Sequence, residues 1–360
     1  MVKKFMLIGL LLFLIWGGVL SAGAAPEASG PLSQVIEGAK KEGVVSVKLW
    51  VGVTPKSIGR LEREIKERFG VDLKVKFTPV VSMPKDLSDA IMEQKAGTTP
   101  SYDLLTLGPE HVVTGLKAGI FEKVEWSSLL TKDVSPDVVV NLSPYGEVGL
   151  SCFTSLTGLL YNPTKVPSSE VPKSLDDLAA PKWKGKIGIL NYPASWAVRA
   201  HVLGKDKVLS NIRALLKNGA IQGVYADIYN RYMLGEISLA FIGNSFFKMA
   251  QDKGMPAAWQ NIDYVEEESR PLVLQKRVLN PNAAKLVSIY LCSSQGAKFM
   301  LEESGAGNAC YPGNFTHDIR MQGKEQGMRI ISKDKEMDFF ETPDYAKWMQ
   351  EIKLILETGR

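Results

Sequence analysis

The residues of this chain that are best suited to bind a ligand lie just after predicted strands. Aromatic side chains, hydroxyls and helix-start amides recur there, and such groups hold small polar molecules rather than break bonds. Ligands of open α/β sheets bind at the carboxyl ends of the strands. Together with Tyr225, the candidate ligand contacts are Trp50, Thr54, Glu110, Thr154, Ser155, Thr157, Tyr192, Ser195, Trp196, Asn244 and Ser245.

The loop 191–196 is the strongest of these candidates, because a predicted strand leads there directly into a helix. Ser195 is the predicted N-cap, and Tyr192 or Trp196 would form an aromatic wall. Asn244 and Ser245 follow the last strand of the same half and complement this loop. The helix-start amides would favour an anionic group.

Each of the other candidates has an alternative interpretation. Trp50 can simply pack at a strand end, and Glu110 and His111 can be solvated capping residues. The hydroxyls over 154–157 can reflect only strand and turn preferences. The basic residues over 182–186 are interpreted as a solvated turn.

The sequence contains no signature of catalysis and no spacing of metal ligands. Gly-x-Ser-x-Gly and His-Glu-x-x-His motifs are absent, and three histidines are scattered. We therefore predict no catalytic residue, no metal and no cofactor. Of three cysteines, Cys292 and Cys310 can pair and leave Cys152 free, or all three can stay reduced.

Short apolar strands alternate with amphipathic helices, which predicts an α/β fold with mostly parallel sheets. Helices are expected near 86–96, 110–118, 207–217, 226–234 and 345–356, with Ser57 capping an earlier one. A β-rich stretch over 148–161 has no helical interruption, so we expect it to cross into a second lobe. The chain is expected to return over 264–274.

The N-terminus has the pattern of a secretory signal. Lys3 and Lys4 precede an apolar run over 5–20, and small residues lead to a cleavage site after Ala24 or Ala25. The expected location is therefore the periplasm. No concentrated basic surface is evident, so nucleic acid is not an expected partner.

Several segments carry a resemblance to extracellular solute-binding proteins of bacterial ABC importers. These are the passage over 158–190, which contains Tyr-Asn-Pro and Pro-Lys-Trp-Lys-Gly-Lys-Ile, then 39–50, 68–77, 102–105, 234–240 and 280–284. The resemblance implies the two-lobed type II periplasmic-binding fold, with mixed sheets flanked by helices and two crossover strands as a hinge. It also implies a small-solute ligand in the cleft and an ABC permease in the inner membrane as partner.

The ferric-iron-binding branch of this family looks nearest, but its adjacent tyrosines are replaced here by Phe246 and Phe247. Hard ferric ions need anionic oxygen donors. We therefore expect an organic anion or zwitterion, with Tyr225, Tyr229 and Tyr232 keeping iron as an alternative. A sensory role at a membrane receptor is a second alternative, and an extracytoplasmic enzyme is a weaker one.

The expected organisation is a monomer with five segments along the chain. They are a signal peptide over 1–25, lobe 1 over 26–145 and 264–312, lobe 2 over 146–263, and a C-terminal helical part over 313–360 that packs on lobe 2.

Overall fold

The computed structural model describes residues 30–49 and 53–359. The strands, in chain order, are β1 (Val44–Leu49), β2 (Lys74–Pro79), β3 (Leu104–Thr106), β4 (Val139–Leu142), β5 (Gly146–Tyr161), β6 (Ile187–Leu190), β7 (Ile221–Gly223), β8 (Leu239–Gly243), β9 (Ala258–Gln260), β10 (Val265–Leu274) and β11 (Ile330–Ser332). The predicted signal segment 1–25 and Trp50 lie outside the described residues.

The α-helices cover both faces of the strands. They are α1 (Pro31–Glu42), α2 (Pro55–Phe69), α3 (Met83–Ala96), α4 (Pro109–Lys117), α5 (Leu175–Leu178), α6 (Pro193–Leu203), α7 (Lys205–Lys217), α8 (Tyr225–Met233), α9 (Asn244–Asp252), α10 (Pro281–Leu291), α11 (Ser294–Ser304), α12 (Phe315–Glu325), α13 (Met337–Phe340) and α14 (Pro343–Thr358). Among the residues that the structure describes, no helix is long and apolar enough to span a membrane.

All described strands belong to one mixed sheet. Its order is β2-β1-β3-β10-β5-β8-β6-β7, with β11 on β10 and with β4 and β9 on β5. Strands β2, β1 and β3 are parallel at one end, and β8, β6 and β7 are parallel at the other. The antiparallel pair of β10 and β5 joins the two parallel parts. The predicted α/β class and both predicted crossing strands are therefore confirmed.

The hydrophobic core follows the same division into two halves. Around β1 and β3, one cluster includes Leu61 and Phe299 and another includes Val112. Around β6 and β8, the equivalent clusters include Ile212 and Ile228. Each half therefore has apolar layers on both faces of its strands, as expected of parallel sheets.

The start, the buried face and the end of helix α2 all follow from its local sequence. The Thr54 hydroxyl accepts a hydrogen bond from the Ser57 amide, and the Ser57 hydroxyl accepts one from the Thr54 amide. Thr54 is therefore the cap, and the predicted cap at Ser57 is wrong by three residues. Leu61, Ile65 and Phe69 are buried at four-residue spacing on one face. Gly70 ends the helix at φ 66°, a conformation that costs glycine little.

The C-terminal segment after β11 contacts both halves. Met337 of α13 lies in the apolar cluster with Val112, whereas Phe339 lies in the cluster with Ile212. Lys117 at the end of α4 forms an ion pair of 2.9 Å with Glu341. This part of the chain therefore bridges the two halves, and the predicted domain boundaries stay a prediction.

The three cysteines are all free thiols. Cys152 and Cys292 are buried in the same apolar cluster, and Cys310 is packed against it. Of the two alternatives open from the sequence, the structure has the reduced form.

Candidate functional site

The antiparallel pair of β5 and β10 forms the floor between the two halves. Ser155 on β5 lies opposite Glu268 on β10. Strand β3 runs antiparallel to β10, with Thr106 opposite Leu272, and β8 runs antiparallel to β5. The carboxyl ends of β3 and β8 therefore point toward the Ser155–Glu268 pair from opposite halves. We call this meeting point the central cleft. From the strand pairing and the contacts among them, we assign to it residues 108–111, 154–157, 191–195, 224–226, 243–246 and 266–270.

Four helices begin at the central cleft, and none of them has a side-chain cap. Their N-cap residues are Gly108 for α4, Tyr192 for α6, Val224 for α8 and Gly243 for α9. Elsewhere in the described chain, six α-helices have side-chain caps, which are Thr54, Ser82, Ser174, Ser293, Asn314 and Thr342. Helices α1, α7, α10 and α13 lack one as well. The amides of the uncapped first turns remain free of side-chain acceptors, which suits an anionic group.

The predicted N-cap at Ser195 is wrong. Helix α6 begins at Pro193, and Tyr192 is its N-cap. The fixed φ of proline suits the first helical position, where a missing N–H costs nothing. Ser195 therefore lies within the first turn, and its amide donates to the Tyr192 carbonyl at 3.2 Å.

Aromatic rings connect three of these helix starts. The rings of Tyr192 and Tyr225 have centroids 6.4 Å apart, and Tyr225 stacks on Phe246 at 5.7 Å. These residues belong to the first turns of α6, α8 and α9. Burial raises the pKa of Tyr225, and burial with the nearby Glu110 charge raises the pKa of Tyr192. Both phenols are therefore neutral, and they form an aromatic wall with hydrogen-bonding tips.

Alternating charges line one face of β10. Lys333 lies 3.2 Å from Glu266 and 3.0 Å from Glu268, and Glu268 also accepts a hydrogen bond from Arg270. Glu266 pairs in turn with Arg199 at 2.7 Å. All five side chains are buried. We call these residues the β10 charge strip.

The pKa directions favour the ionised forms of Glu266 and Lys333 in the β10 charge strip. Burial acts to raise the pKa of Glu266, but Arg199 and Lys333 outweigh it, and the pKa is lowered. Burial likewise acts to lower the pKa of Lys333, but attraction by Glu266 and other groups raises it. The buried Nε of Arg270 has no hydrogen-bond partner among the described residues. The guanidinium nitrogens of Arg199 also lack hydrogen-bond partners in the described chain, but that group lies against the rings of Phe241 and Tyr264.

Glu110 approaches the strip from the start of α4. Its Oε1 lies 3.1 Å from His111 Nδ1. Burial acts to raise the pKa of Glu110, but His111, with Arg270 and Lys333, lowers it to about 2. Gly108 leaves room for this carboxylate, since a Cβ there would lie 3.0 Å from both Glu110 oxygens and from Glu268 Oε1.

The predicted hydroxyl contacts have structural partners of their own. Thr54 caps α2, and the Thr154 hydroxyl accepts a hydrogen bond from the Ala309 amide at 3.1 Å. Thr157 is buried in the ladder opposite Gly243. Ser155 is half-buried and lies nearest the cleft, since a Cβ on Gly243 would be 3.7 Å from its Oγ.

Two further predicted residues serve the scaffold. Trp196 is 1% exposed, and its Nε1 donates to the Leu190 carbonyl at 3.0 Å, so it lies in the core rather than on the cleft wall. Asn244 Oδ1 accepts from the Leu156 amide at 2.9 Å, and its Nδ2 donates to Thr316. Asn244 therefore ties α9 to β5, next to the buried Ser245.

The sequence reasoning missed Glu268, Arg270 and Lys333. A signal was present for the first two, because charged residues interrupt the strand that was predicted over 264–274. Buried charges must be paired, so charges in a central strand indicate a site or a network. Lys333 gave no local signal, since it reaches Glu268 across 65 residues of chain.

A cavity of about 390 Å³ lies on the other face of β10, where Glu267 and Ser269 alternate with the strip. Its charged groups largely pair with one another or with hydroxyls: Arg320 with Glu267, and Asp334 with Ser269. Since the uncapped helix starts border the central cleft instead, we place the candidate site there.

Among the described residues, no group of three or more His, Cys, Asp or Glu side chains is placed to hold a metal ion. Phe246 and Phe247 have no phenolate oxygen, so neither supplies the donor that the resemblance implies for iron at this place. Phe247 packs against Trp259 and Phe315.

Comparison with known proteins agrees with this geometry. Residues 116–291 match the sequence model of the bacterial extracellular solute-binding proteins. A substrate-binding protein of an ABC transporter from Agrobacterium tumefaciens is 14% identical, with a TM-score of 0.68 over 89% of this chain and 96% of that one. Iron-bound HitA from Pseudomonas aeruginosa is 18% identical, with a TM-score of 0.58 over 73% and 85% of the two chains. A putative spermidine/putrescine ABC transporter from Listeria monocytogenes is 14% identical, with a TM-score of 0.61 over 88% of this chain and 100% of that one.

These matches confirm the resemblance and the two-lobed fold that the sequence predicted. The two halves of the sheet are the lobes, and β5 and β10 are the crossover strands.

Proposed function

We propose that this bacterial extracellular solute-binding protein captures a small organic anion or zwitterion in its central cleft. The observation that carries the proposal is the buried Nε of Arg270, which has no hydrogen-bond partner among the described residues. Leaving a buried charged donor unpaired costs free energy, and an anionic ligand group would remove that cost. A guanidinium is also well suited to carboxylate and phosphate groups.

The surrounding groups favour the same ligand class. The uncapped starts of α6, α8 and α9 supply amides and positive dipole ends from one lobe. Tyr192, Tyr225 and Phe246 supply an apolar wall for the carbon skeleton. Mixed aromatic and polar linings of this kind are typical of small-molecule sites.

Binding would be coupled to closure of the lobes about β5 and β10. Arg270 and Glu268 lie on a crossover strand, and Glu110 and Tyr192 belong to opposite lobes. A ligand that contacts all of these groups binds the closed form more tightly, and therefore shifts the population toward it. Delivery to an ABC permease would follow from the periplasmic location, with the protein acting as a monomer and performing no catalysis.

Ferric iron is the alternative ligand. Tyr192, Tyr225, Glu110 and His111 offer oxygen and nitrogen donors near the cleft, but Phe246 and Phe247, which have no oxygen donor, follow β8 where the resemblance implies adjacent tyrosines. The organic anion therefore remains the better-supported ligand. Presentation of the ligand to a membrane receptor would use the same cleft, and only partner-binding experiments separate it from import.

The test begins with a thermal-shift screen over carboxylates, amino acids, phosphonates, polyamines and ferric citrate. We expect stabilisation by anionic or zwitterionic compounds, and small-angle scattering of the complex with the best compound is expected to show contraction. Stabilisation by ferric citrate alone, or an unchanged scattering profile at saturation, would overturn the proposal.

Arg270→Met and Arg320→Met form a matched pair for the same test. Both remove an arginine that pairs with a glutamate of β10, but Arg320 is on the opposite face. We expect calorimetric affinity for the best compound to fall at least tenfold in Arg270→Met and to stay within twofold in Arg320→Met. Arg270→Lys retains the charge and checks that a loss in Arg270→Met does not arise from unfolding.

A further inference from the structure

Glu110 and Arg270 are oppositely charged groups at the central cleft, yet they make no direct ion pair. Among the described residues, the charged partner of Glu110 within 4 Å is His111, and that of Arg270 is Glu268. Each nevertheless feels the field of the other, because Arg270 contributes to lowering the pKa of Glu110. The Glu110 carboxylate therefore lies near the Glu268–Arg270 pair without an ion pair to Arg270, whose Nε has no hydrogen-bond partner among the described residues.

Charge counting identifies these two groups as the unmatched ones. In the β10 charge strip, Arg199, Lys333 and Arg270 face only Glu266 and Glu268. Glu268 has both oxygens engaged, one by Arg270 and one by Lys333. The third positive charge is thus balanced only at a distance, by Glu110 and by Asp334.

The neighbours of Glu110 suit a cationic ligand group. Glu110 raises the pKa of Tyr192 and of Tyr345, so both rings are within electrostatic range of its carboxylate. Tyr192 is 37% exposed and remains open to an incoming molecule. A carboxylate beside tyrosine rings binds ammonium groups through ion pairing and cation–π attraction.

Gly108 makes this arrangement possible. The oxygens of Glu110 and Oε1 of Glu268 converge on the position where a Cβ would stand. The φ of Gly108 is −81°, so alanine is compatible with the backbone. Glycine is therefore required at position 108 because a Cβ would crowd the carboxylate oxygens, and not because of the backbone conformation.

We propose that Glu110 is a specificity-determining residue that binds the ammonium group of a zwitterionic solute, whose anionic group pairs with Arg270. The ammonium group of the ligand would pair with Glu110 in the first turn of α4, and its anionic group would pair with Arg270 on the crossover strand β10. The ligand would therefore connect one lobe to the crossover strand. This inference rests on the proposed function and narrows its ligand class to compounds that carry both charges.

The experiment uses two pairs of probes that differ only in the amine. They are 4-aminobutyrate with butyrate, and O-phosphoethanolamine with ethyl phosphate, each titrated calorimetrically into the full mature protein. In the unmodified protein we expect the amine to improve affinity at least tenfold within the better pair. Glu110→Gln is expected to abolish that gain, so that the two members of the pair bind with affinities within twofold of each other.

Two variants accompany this comparison. Glu267→Gln removes a carboxylate from the opposite face of β10, and we expect it to keep the preference for the amine. Gly108→Ala keeps the charge of Glu110 but fills the space below it, and we expect the preference to decrease. Melting temperatures establish that each variant is folded.

The outcomes separate this inference from the proposed function. If both members of each pair bind equally, and Glu110→Gln changes neither, the ammonium site is wrong while anion binding stands. If none of the four probes binds, and ferric citrate binds with loss in Glu110→Gln, both the ammonium site and the organic ligand are wrong.

Discussion

Arg199 on α6 and Glu266 on the crossover strand β10 form an ion pair of 2.7 Å from which solvent is excluded. The Arg199 guanidinium also lies 4.4 Å from the Phe241 ring centroid and 5.0 Å from that of Tyr264. This pair connects helix α6 of lobe 2 to β10, the strand that crosses to lobe 1. It therefore links the scaffold of lobe 2 to the β10 charge strip.

Replacing Arg199 by Met tests the contribution of that pair to stability. Removing one partner of a buried ion pair costs about 3–5 kcal/mol, and the remaining contact of Glu266 with Lys333 places the expectation near the lower limit, at about 3 kcal/mol. Urea unfolding followed by circular dichroism measures the change. Lys40→Ala, which breaks an exposed pair with Glu37, is the control, and it is expected to change the free energy of unfolding far less because solvent screens that pair. Equal effects of the two variants would contradict the prediction.

Gly158→Ala is expected to destabilise the crossover strand β5. The new Cβ would lie 2.5 Å from Trp259 Cζ2 and 3.0 Å from the Gln260 carbonyl oxygen. Overpacking of this kind costs about 1–3 kcal/mol. Gly59→Ala in α2 is the matched control, because nothing lies within 4 Å of its Cβ position. We expect that control to stabilise by about 0.5–1 kcal/mol, and thermal unfolding of both variants distinguishes the two signs.

Acid stability depends in part on Glu110. The pKa of Glu110 in the folded protein is about 2, below its ordinary value of 4.5. Its contribution to stability is therefore complete above pH 4.5 and is lost as the pH falls toward 2. Denaturant unfolding at several pH values in this window is expected to show a steeper loss for the unmodified protein than for Glu110→Gln. Parallel loss in both proteins would show that Glu110 is not held ionised.

The three thiols are expected to be reduced but unreactive in the folded protein. Burial raises the pKa of Cys152 and of Cys310 to about 12, and it raises that of Cys292 as well. Little thiolate is therefore present at pH 8, and the thiolate is the reactive form. Titration with a chromogenic disulfide reagent is expected to be slow in buffer and to give three thiols per chain in denaturant without reductant. A count of one would contradict the prediction and show that two of the three cysteines form a disulfide.

The sequence alone determined the class of fold, the crossing strands and the order of most elements. The signals behind these predictions involve only neighbouring residues. Examples are the four-residue spacing of Leu61, Ile65 and Phe69, the glycine that ends α2 at φ 66°, and the Tyr-Asn-Pro turn within 158–190. Local signals of this kind act over one or two turns of chain, so they can be recognised without knowing what packs against them. Helix starts were less certain, as the shift from Ser195 to Pro193 shows, because several residues near a start can serve as cap.

Only the tertiary structure decided which of the candidate residues belong to the cleft. Trp196 and Ser195 are adjacent in sequence, yet the indole of Trp196 is buried in the core, because a helix turns successive side chains in different directions. Lys333 became visible only when the fold brought it to Glu268 across a long stretch of chain, whereas the charges of Glu268 and Arg270 within a predicted strand were a local signal. The strength of a charge depends on burial and on partners distant in sequence, and no local pattern contains that information.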